Sequence, residues 1–225
     1  MNPGHKRDGW HRLLAPLLST LLVSASLWAQ HPPDDAIGKL KAGNARYVSD
    51  HPSAKHYADD RKATSEEQHP YAIVLACADS REPPEILFDE SLGRLFVIRV
   101  AGNVIDPVVL GSIEYAAEHL HVGTLLILGH ESCGAVTAAI EGGGSDHIKD
   151  LLTRIAPAVE KAQQAKRDKA GTLDQAIREN VILQMGQAVA QSATLAELVH
   201  AKKLEIVGGI YNLHTGKVEF LQSSH

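Results

Sequence analysis

Apolar residues along the chain fall into two kinds of pattern. Three short, unbroken runs at 72–76, 95–100 and 124–128 have the length and continuity of strands buried on both faces, as in a parallel sheet. Between the second and third, residues 107–120 change period. Val109, Ile113, Ala116 and Leu120 line one helical face there, behind a Pro107 suited to the first helical turn. Strand alternating with helix predicts right-handed crossovers in an α/β layer. Upstream, Ile37, Leu40 and Tyr47 share a helical face over 34–47, with Asp34 or Asp35 as the capping candidate. Residues 51–69 are polar and read as a loop plus a short helix. Downstream, Gly142-Gly143-Gly144 follows a short helix, and 147–166 and 172–198 read as helices with charged outer and Ala-rich inner faces. Runs at 204–211 and 217–221 flank His214-Thr215-Gly216 in a hairpin-like close. The expected fold class is α/β: one domain with a mostly parallel central β-sheet flanked by helices, an N-terminal helix and a C-terminal helical and hairpin extension.

The first 29 residues stand apart from this pattern. Lys6, Arg7 and Arg12 precede an apolar run from Leu13 to Trp28, and Ala29-Gln30-His31-Pro32-Pro33 follows. A basic start, a short apolar stretch and a small residue before a polar segment make an export signal over 1–29, with the folded domain at 30–225. The run falls short of the ~20 residues that cross a bilayer, which favours a signal over a spanning helix; an uncleaved anchor is the alternative, and stable membrane insertion after removal is not expected. The expected location is periplasmic or secreted. Lys6-Arg7 is not a twin-arginine pair, and Leu27 leaves the cleavage point open.

Composition narrows the class further. With 225 residues, 44% of them apolar, the chain can bury a continuous core, and two cysteines cannot frame a disulfide scaffold of this size. The formal charge is −5; without residues 1–29 it becomes 19 basic against 26 acidic residues, or −7. Such a chain is not built to attract a phosphate backbone, and no nucleic-acid partner is expected.

Cys77 ends the first apolar run, directly before Ala78-Asp79-Ser80-Arg81, and Cys133 stands three residues after His130 at the end of the third. The carboxyl ends of parallel strands border the crevice where open α/β sheets bind ligands, so these three residues have positions that converge. Two thiolates and an imidazole suit Zn²⁺ and leave a fourth tetrahedral position for water. A Cys77–Cys133 disulfide is compatible with export as well, and spacing alone leaves both readings open.

The flanking residues resemble a known family. Cys77-Ala78-Asp79-Ser80-Arg81 followed by His130-Glu131-Ser132-Cys133 is similar to the paired signature of the β-class carbonic anhydrases. The resemblance continues through Pro84–Asp89, Arg99-Val100-Ala101-Gly102-Asn103, Gly111–Ala116 and Gly208-Gly209-Ile210-Tyr211, and spans roughly 37–221. Glu82 departs from it, standing where the family more often has a small apolar residue; it is expected to alter the surface near the site and to touch no ligand.

The resemblance implies one Zn²⁺ per subunit on Cys77, His130 and Cys133, and reversible hydration of CO2 to bicarbonate. Asp79 accepts a hydrogen bond at the metal, and Arg81 grips Asp79 and keeps it off the ion. Gln68, Phe96 and Tyr115 form the substrate pocket from a neighbouring subunit, which makes the active unit a homodimer or a larger even-numbered assembly. The Gly134 backbone N–H adds a donor. Some members close at low pH through a bicarbonate site that includes a Trp three residues before the first cysteine. Val74 stands there instead, though Arg99 matches a second part, so an always-open site is expected. Hydrolysis of CS2 or COS on the same metal, and a non-catalytic exported binding protein, are the alternatives. The other histidines, His119 and His121 among them, show no metal-ligand spacing.

Overall fold

The computed structural model describes residues 33–221 together with Met1, so the export signal over 1–29 lies almost wholly outside the described residues. Helix α1 (Pro33–Val48) packs across one face of the sheet. A Cβ on its Gly43 would lie 1.9 Å from the Phe88 carbonyl oxygen, which is why this helix carries a glycine mid-length. The short α2 (Tyr57–Ala63) follows in the polar stretch.

Strands β1 (Ala72–Ala76), β2 (Leu95–Arg99), β3 (Thr124–His130), β4 (Glu205–Tyr211) and β5 (Val218–Leu221) form one sheet in the order β2-β1-β3-β4-β5. The first four are mutually parallel, and β5 is antiparallel to β4. Alternate side chains of β1 and β3 enter opposite cores. Ile73, Leu75, Leu125 and Ile127 face one side; Val74, Ala76, Leu126 and Leu128 face the other. Two covered faces leave no polar alternation, which accounts for the unbroken runs. Strand β2 departs from that expectation. It is the sheet edge, and its five residues are half-buried or exposed.

Between β1 and β2 lies the single turn α3 (Pro84–Leu87), which the apolar pattern did not indicate. A 3-10 turn at Ala101–Asn103 leads into α4 (Pro107–Glu118). Asp106 caps α4 by accepting the Val109 N–H at 2.7 Å, and Pro107 opens it. Helices α5 (Gly134–Glu141) and α6 (Ile148–Gln163) are joined through the glycine run. The helix expected over 172–198 is two helices, α7 (Lys169–Gln191) and α8 (Ala193–His200). Ser192 divides them. Its backbone is extended and its Oγ accepts the Leu195 N–H at 3.1 Å, so it ends one helix and caps the next. Among the described residues, no helix is long and apolar enough to cross a membrane.

Candidate metal centre

Strands β1 and β3 are neighbours, with Ala76 opposite Leu128. Cys77, one residue beyond β1, and His130, the last residue of β3, therefore reach the same carboxyl edge of the sheet. Ser132 then adopts the left-handed region at φ 53° and turns the chain, so that Cys133 becomes the N-cap residue of α5. The two sulfurs and a ring nitrogen of His130 lie within 4.8 Å of one another, and all three residues are buried. Both cysteines are free, not joined as a disulfide.

The polar atoms around this cluster prepare it for a cation. His130 Nδ1 lies 2.8 Å from the Glu131 carbonyl oxygen and donates to it, which leaves the lone pair on Nε2. Nε2 is buried and has no hydrogen-bond partner. Such an atom is costly unless something completes it. A hydrogen bond from Cys133 draws the Cys77 thiol well below its ordinary range against the opposing effect of burial, helped by the Gly102 N–H 3.2 Å from Cys77 Sγ. Donation to Cys77, and then burial, push Cys133 up. The pair thus favours one negative charge, resting on Cys77, and a bound cation displaces the remaining proton. Two sulfurs and a neutral imidazole are a donor set that fits Zn²⁺.

Gly102 is placed by its own constraints. Its φ is 70°, a Cβ would meet Ile155 Cδ1 at 2.7 Å, and its carbonyl accepts from Asn180 Nδ2 at 2.9 Å. Asn180 in turn accepts from Gln184 Nε2 at 3.0 Å, while Gln184 Oε1 accepts the Ile105 N–H at 2.9 Å. Sequence reasoning missed this pair on α7. The available signal was two amides four residues apart on an otherwise apolar helical face.

Asp79 and Arg81 meet as expected. Arg81 donates from Nε to Oδ1 at 2.9 Å and from Nη2 to Oδ2 at 2.7 Å, and its backbone N–H reaches Oδ1 at 3.0 Å. The guanidinium holds the Asp79 carboxyl well below the usual carboxylate range. Asp79 Oδ2 is 3.8 Å from His130 Nε2. Arg99 donates from Nε to the Cys77 carbonyl at 3.0 Å and from Nη2 to the Asp79 carbonyl, bracing the loop that carries both residues.

The expectation for Glu82 is overturned. Its carboxyl is not at the surface but fully buried, with Oε2 4.0 Å from His130 Nε2. Burial, and then the charge of Cys77, push it up to about 9.

Gly134 is the first residue of α5 and is exposed, beside Cys133. Gln68 and Tyr115 are brought to a different place, a cleft of about 690 Å³ that none of Cys77, His130 and Cys133 lines. Phe96 on edge strand β2 stacks near Tyr115, with ring centroids 6.2 Å apart. Tyr115 and Val108 lie on the exposed side of α4, at 47% and 78% exposure.

A family model described as carbonic anhydrase matches residues 72–218, which include the metal cluster and the four parallel strands of the sheet. The chain belongs to the β-class carbonic anhydrase family. Carbonic anhydrase activity goes with that membership. Carbonic anhydrase 2 of Mycobacterium tuberculosis (strain CDC 1551 / Oshkosh) is 39% identical over 188 residues, covering 79% of this chain and 87% of that protein. The carbonic anhydrase of Mycolicibacterium smegmatis is 39% identical over 186 residues, covering 80% and 89%. Among solved structures, a Coccomyxa β-carbonic anhydrase in complex with acetazolamide shares the fold with a TM-score of 0.65 at 24% identity, over 90% of this chain and 87% of that one. A Sordaria macrospora β-carbonic anhydrase described as tetrameric gives 0.66 at 23%, over 71% and 84%.

Proposed function

We propose that Cys77, His130 and Cys133 hold one Zn²⁺ and that the site hydrates CO2 reversibly to bicarbonate and a proton. The observation that carries this reading is the donor set: two buried sulfurs and an unpartnered imidazole nitrogen within 4.8 Å of one another. When bound, the metal supplies a water whose pKa falls from 15.7 toward about 7 in the best-known case.

The chain's own residues direct the rest. Asp79 stays ionised because Arg81 stabilises its charge, so it would act only as a hydrogen-bond acceptor toward a group held at the cluster beside it. With both Asp79 oxygens on Arg81, the carboxylate is held in one orientation and away from the metal. The Gly134 N–H, one of the unsatisfied amides at the start of α5, donates to a substrate oxygen. CO2 carries no charge, so the walls that hold it are apolar, and Phe96 and Tyr115 provide them. In this chain Tyr115 lines a cleft with Gln68 apart from its own metal cluster, and Phe96 lies against Tyr115. We therefore assign them to the site of a second copy, with edge strand β2 and the exposed side of α4 as the shared face in a homodimer or larger even-numbered assembly. The basic start and short apolar run assign the protein to the periplasm or the extracellular space. Arg81's two-point grip on Asp79 supports the always-open form.

Stopped-flow CO2 hydration on the zinc-loaded protein tests this reading, with Asp79→Ala as the control. Turnover that falls on the order of 10²-fold in the variant is the expected result. Zinc-loaded protein with no turnover of CO2, or with turnover of CS2 alone, overturns it.

A further inference from the structure

Helix α7 buries an apolar face of Ala176, Ile177, Val181, Met185 and Ala188, and two amides are set into it. Asn180 and Gln184 are each 1% exposed. An amide in such a place is unfavourable unless its polar atoms are bonded, and an apolar side chain of the same size would fill the space without that demand. Both amides are fully engaged. Asn180 Nδ2 donates to the Gly102 carbonyl at 2.9 Å and its Oδ1 accepts from Gln184 Nε2 at 3.0 Å. Gln184 Oε1 accepts the Ile105 N–H at 2.9 Å, and Nε2 also reaches the Arg154 carbonyl at 3.4 Å. These bonds go to backbone and to each other, not to the metal ligands.

What the pair holds is the turn that meets Cys77. The chain leaves β2 at Val100, whose N–H donates to the Ala76 carbonyl at 3.1 Å. Two peptide planes then hinge at Gly102, with φ 70° and ψ 17°. The plane after the hinge is tied at both edges: the Asn103 N–H donates to the Val100 carbonyl at 2.9 Å, and the Gly102 carbonyl accepts from Asn180. The plane before it carries the N–H that lies 3.2 Å from Cys77 Sγ. Glycine restrains its own dihedrals less than any other residue, so one plane is aimed only as firmly as the other is anchored. Asn180 is the side chain that anchors it, and a satisfied buried network of this kind is rigid.

We infer that Asn180 is a positioning residue for the metal centre: by fixing the Gly102 carbonyl it keeps the adjoining N–H on Cys77 Sγ, and so sets how much electron density that sulfur offers a bound cation. A donor on a ligating sulfur draws density from it, and outer hydrogen bonds tune a metal in this way. Gln184 supports Asn180 at one remove. The inference rests on the reading of Cys77, His130 and Cys133 as a zinc site.

The test loads the full chain with Co²⁺ in place of zinc and reads the sulfur-to-cobalt charge-transfer band, with zinc affinity measured separately by chelator competition. Asn180→Leu removes the donor and nearly keeps the volume. Met185→Ala, on the same buried face, removes packing alone. Both variants should melt below wild type. Only Asn180→Leu should move the band, to longer wavelength because a sulfur without its N–H donor gives up an electron more readily, and only this variant should bind zinc more weakly, by about 10-fold. A role confined to folding would not separate the two variants. Asn180→Leu with the wild-type band or wild-type zinc affinity, or a band that moves equally in Met185→Ala, overturns the inference and leaves the zinc site intact. Wild type that takes up no metal, or shows no sulfur-to-cobalt band, overturns the site itself, so the two failures are told apart. If Asn180→Leu does not fold, Asn180→Ala, which puts no bulk against the turn, decides by the same two readouts.

Discussion

Gly102→Ala is the substitution through which the backbone's control of the metal centre is best measured. Two separate penalties arise at this residue. The φ of 70° belongs to the left-handed region, where a Cβ costs an L-residue roughly 1–2 kcal/mol. The added methyl would also stand 2.7 Å from Ile155 Cδ1 and 3.2 Å from Ala135 Cβ, and overpacking of this kind costs about 1–3 kcal/mol. Together they come to roughly 2–5 kcal/mol, with the lower half more apt because Ile155 Cδ1 is the far end of a flexible side chain. Relief of either penalty requires the turn to move, and the turn carries the N–H that lies 3.2 Å from Cys77 Sγ. Zinc affinity should therefore fall by about 10–100-fold, as it does when groups supporting a metal ligand are lost. Urea denaturation and chelator competition measure the two effects. The double variant Gly102→Ala/Ile155→Val separates them: shortening Ile155 recovers the packing share of the stability loss and leaves the conformational share. Gly102→Ala protein with wild-type stability and wild-type zinc affinity would refute the reasoning, since it would mean that neither the φ nor the approach to Ile155 constrains the turn.

Two further outcomes follow from the charges. Arg81→Lys keeps the positive charge but cannot reproduce the paired contacts from Nε and Nη2, so CO2 hydration should drop by an order of magnitude or more while the melting temperature hardly changes, Arg81 being largely exposed; unchanged turnover would remove orientation of Asp79 from the mechanism. Asp89 is buried, which pushes its carboxyl up, but hydrogen bonds from Lys55, Arg46 and Ser53 outweigh burial and hold it well below the usual range. A carboxyl lowered by folding stabilises the protein above its unfolded pKa of about 3.9 and loses that contribution as pH falls through the folded value. Urea stability measured from pH 6 downward should thus fall with acid more steeply in wild type than in Asp89→Asn, and parallel curves would contradict this.

The parts of the fold that could be read from the sequence are those whose signal is local. Strand β1 was delimited because burial on both faces makes its run apolar from Ala72 to Ala76 without interruption, and Pro107 marked the start of α4 because proline suits the first helical turn. Ser192 was not legible as a boundary. Serine is common within helices, and what makes this one a cap is its extended backbone in the folded chain. The edge position of β2 escaped for a related reason, since its apolar residues do not say which strand lies beside them. At the centre, the spacing of Cys77, His130 and Cys133 was informative because strand ends converge by topology. Asp79 and Arg81 were legible because they lie two residues apart. Glu82 misled because a lone carboxylate in sequence ordinarily seeks solvent; only the turn closed onto the Asp79 carbonyl reveals that it is drawn inside.

Arg99 has a consequence for how this molecule can vary. It occupies the final position of the outermost strand, aligned with Ala76 in a ladder only five residues long, and from there it reaches the loop that carries Cys77 and Asp79. Three residues earlier the same strand presents Phe96 against Tyr115. Residues three apart on a strand point to opposite sides, and a slip of one residue exchanges those sides. One alignment therefore fixes both the aromatic that meets Tyr115 and the arginine that steadies the loop, and neither can drift without carrying the other. An insertion or deletion between Leu95 and Arg99 would displace one of them relative to Ala76, whereas a change of length before Leu95 or after Arg99 leaves the ladder as it is.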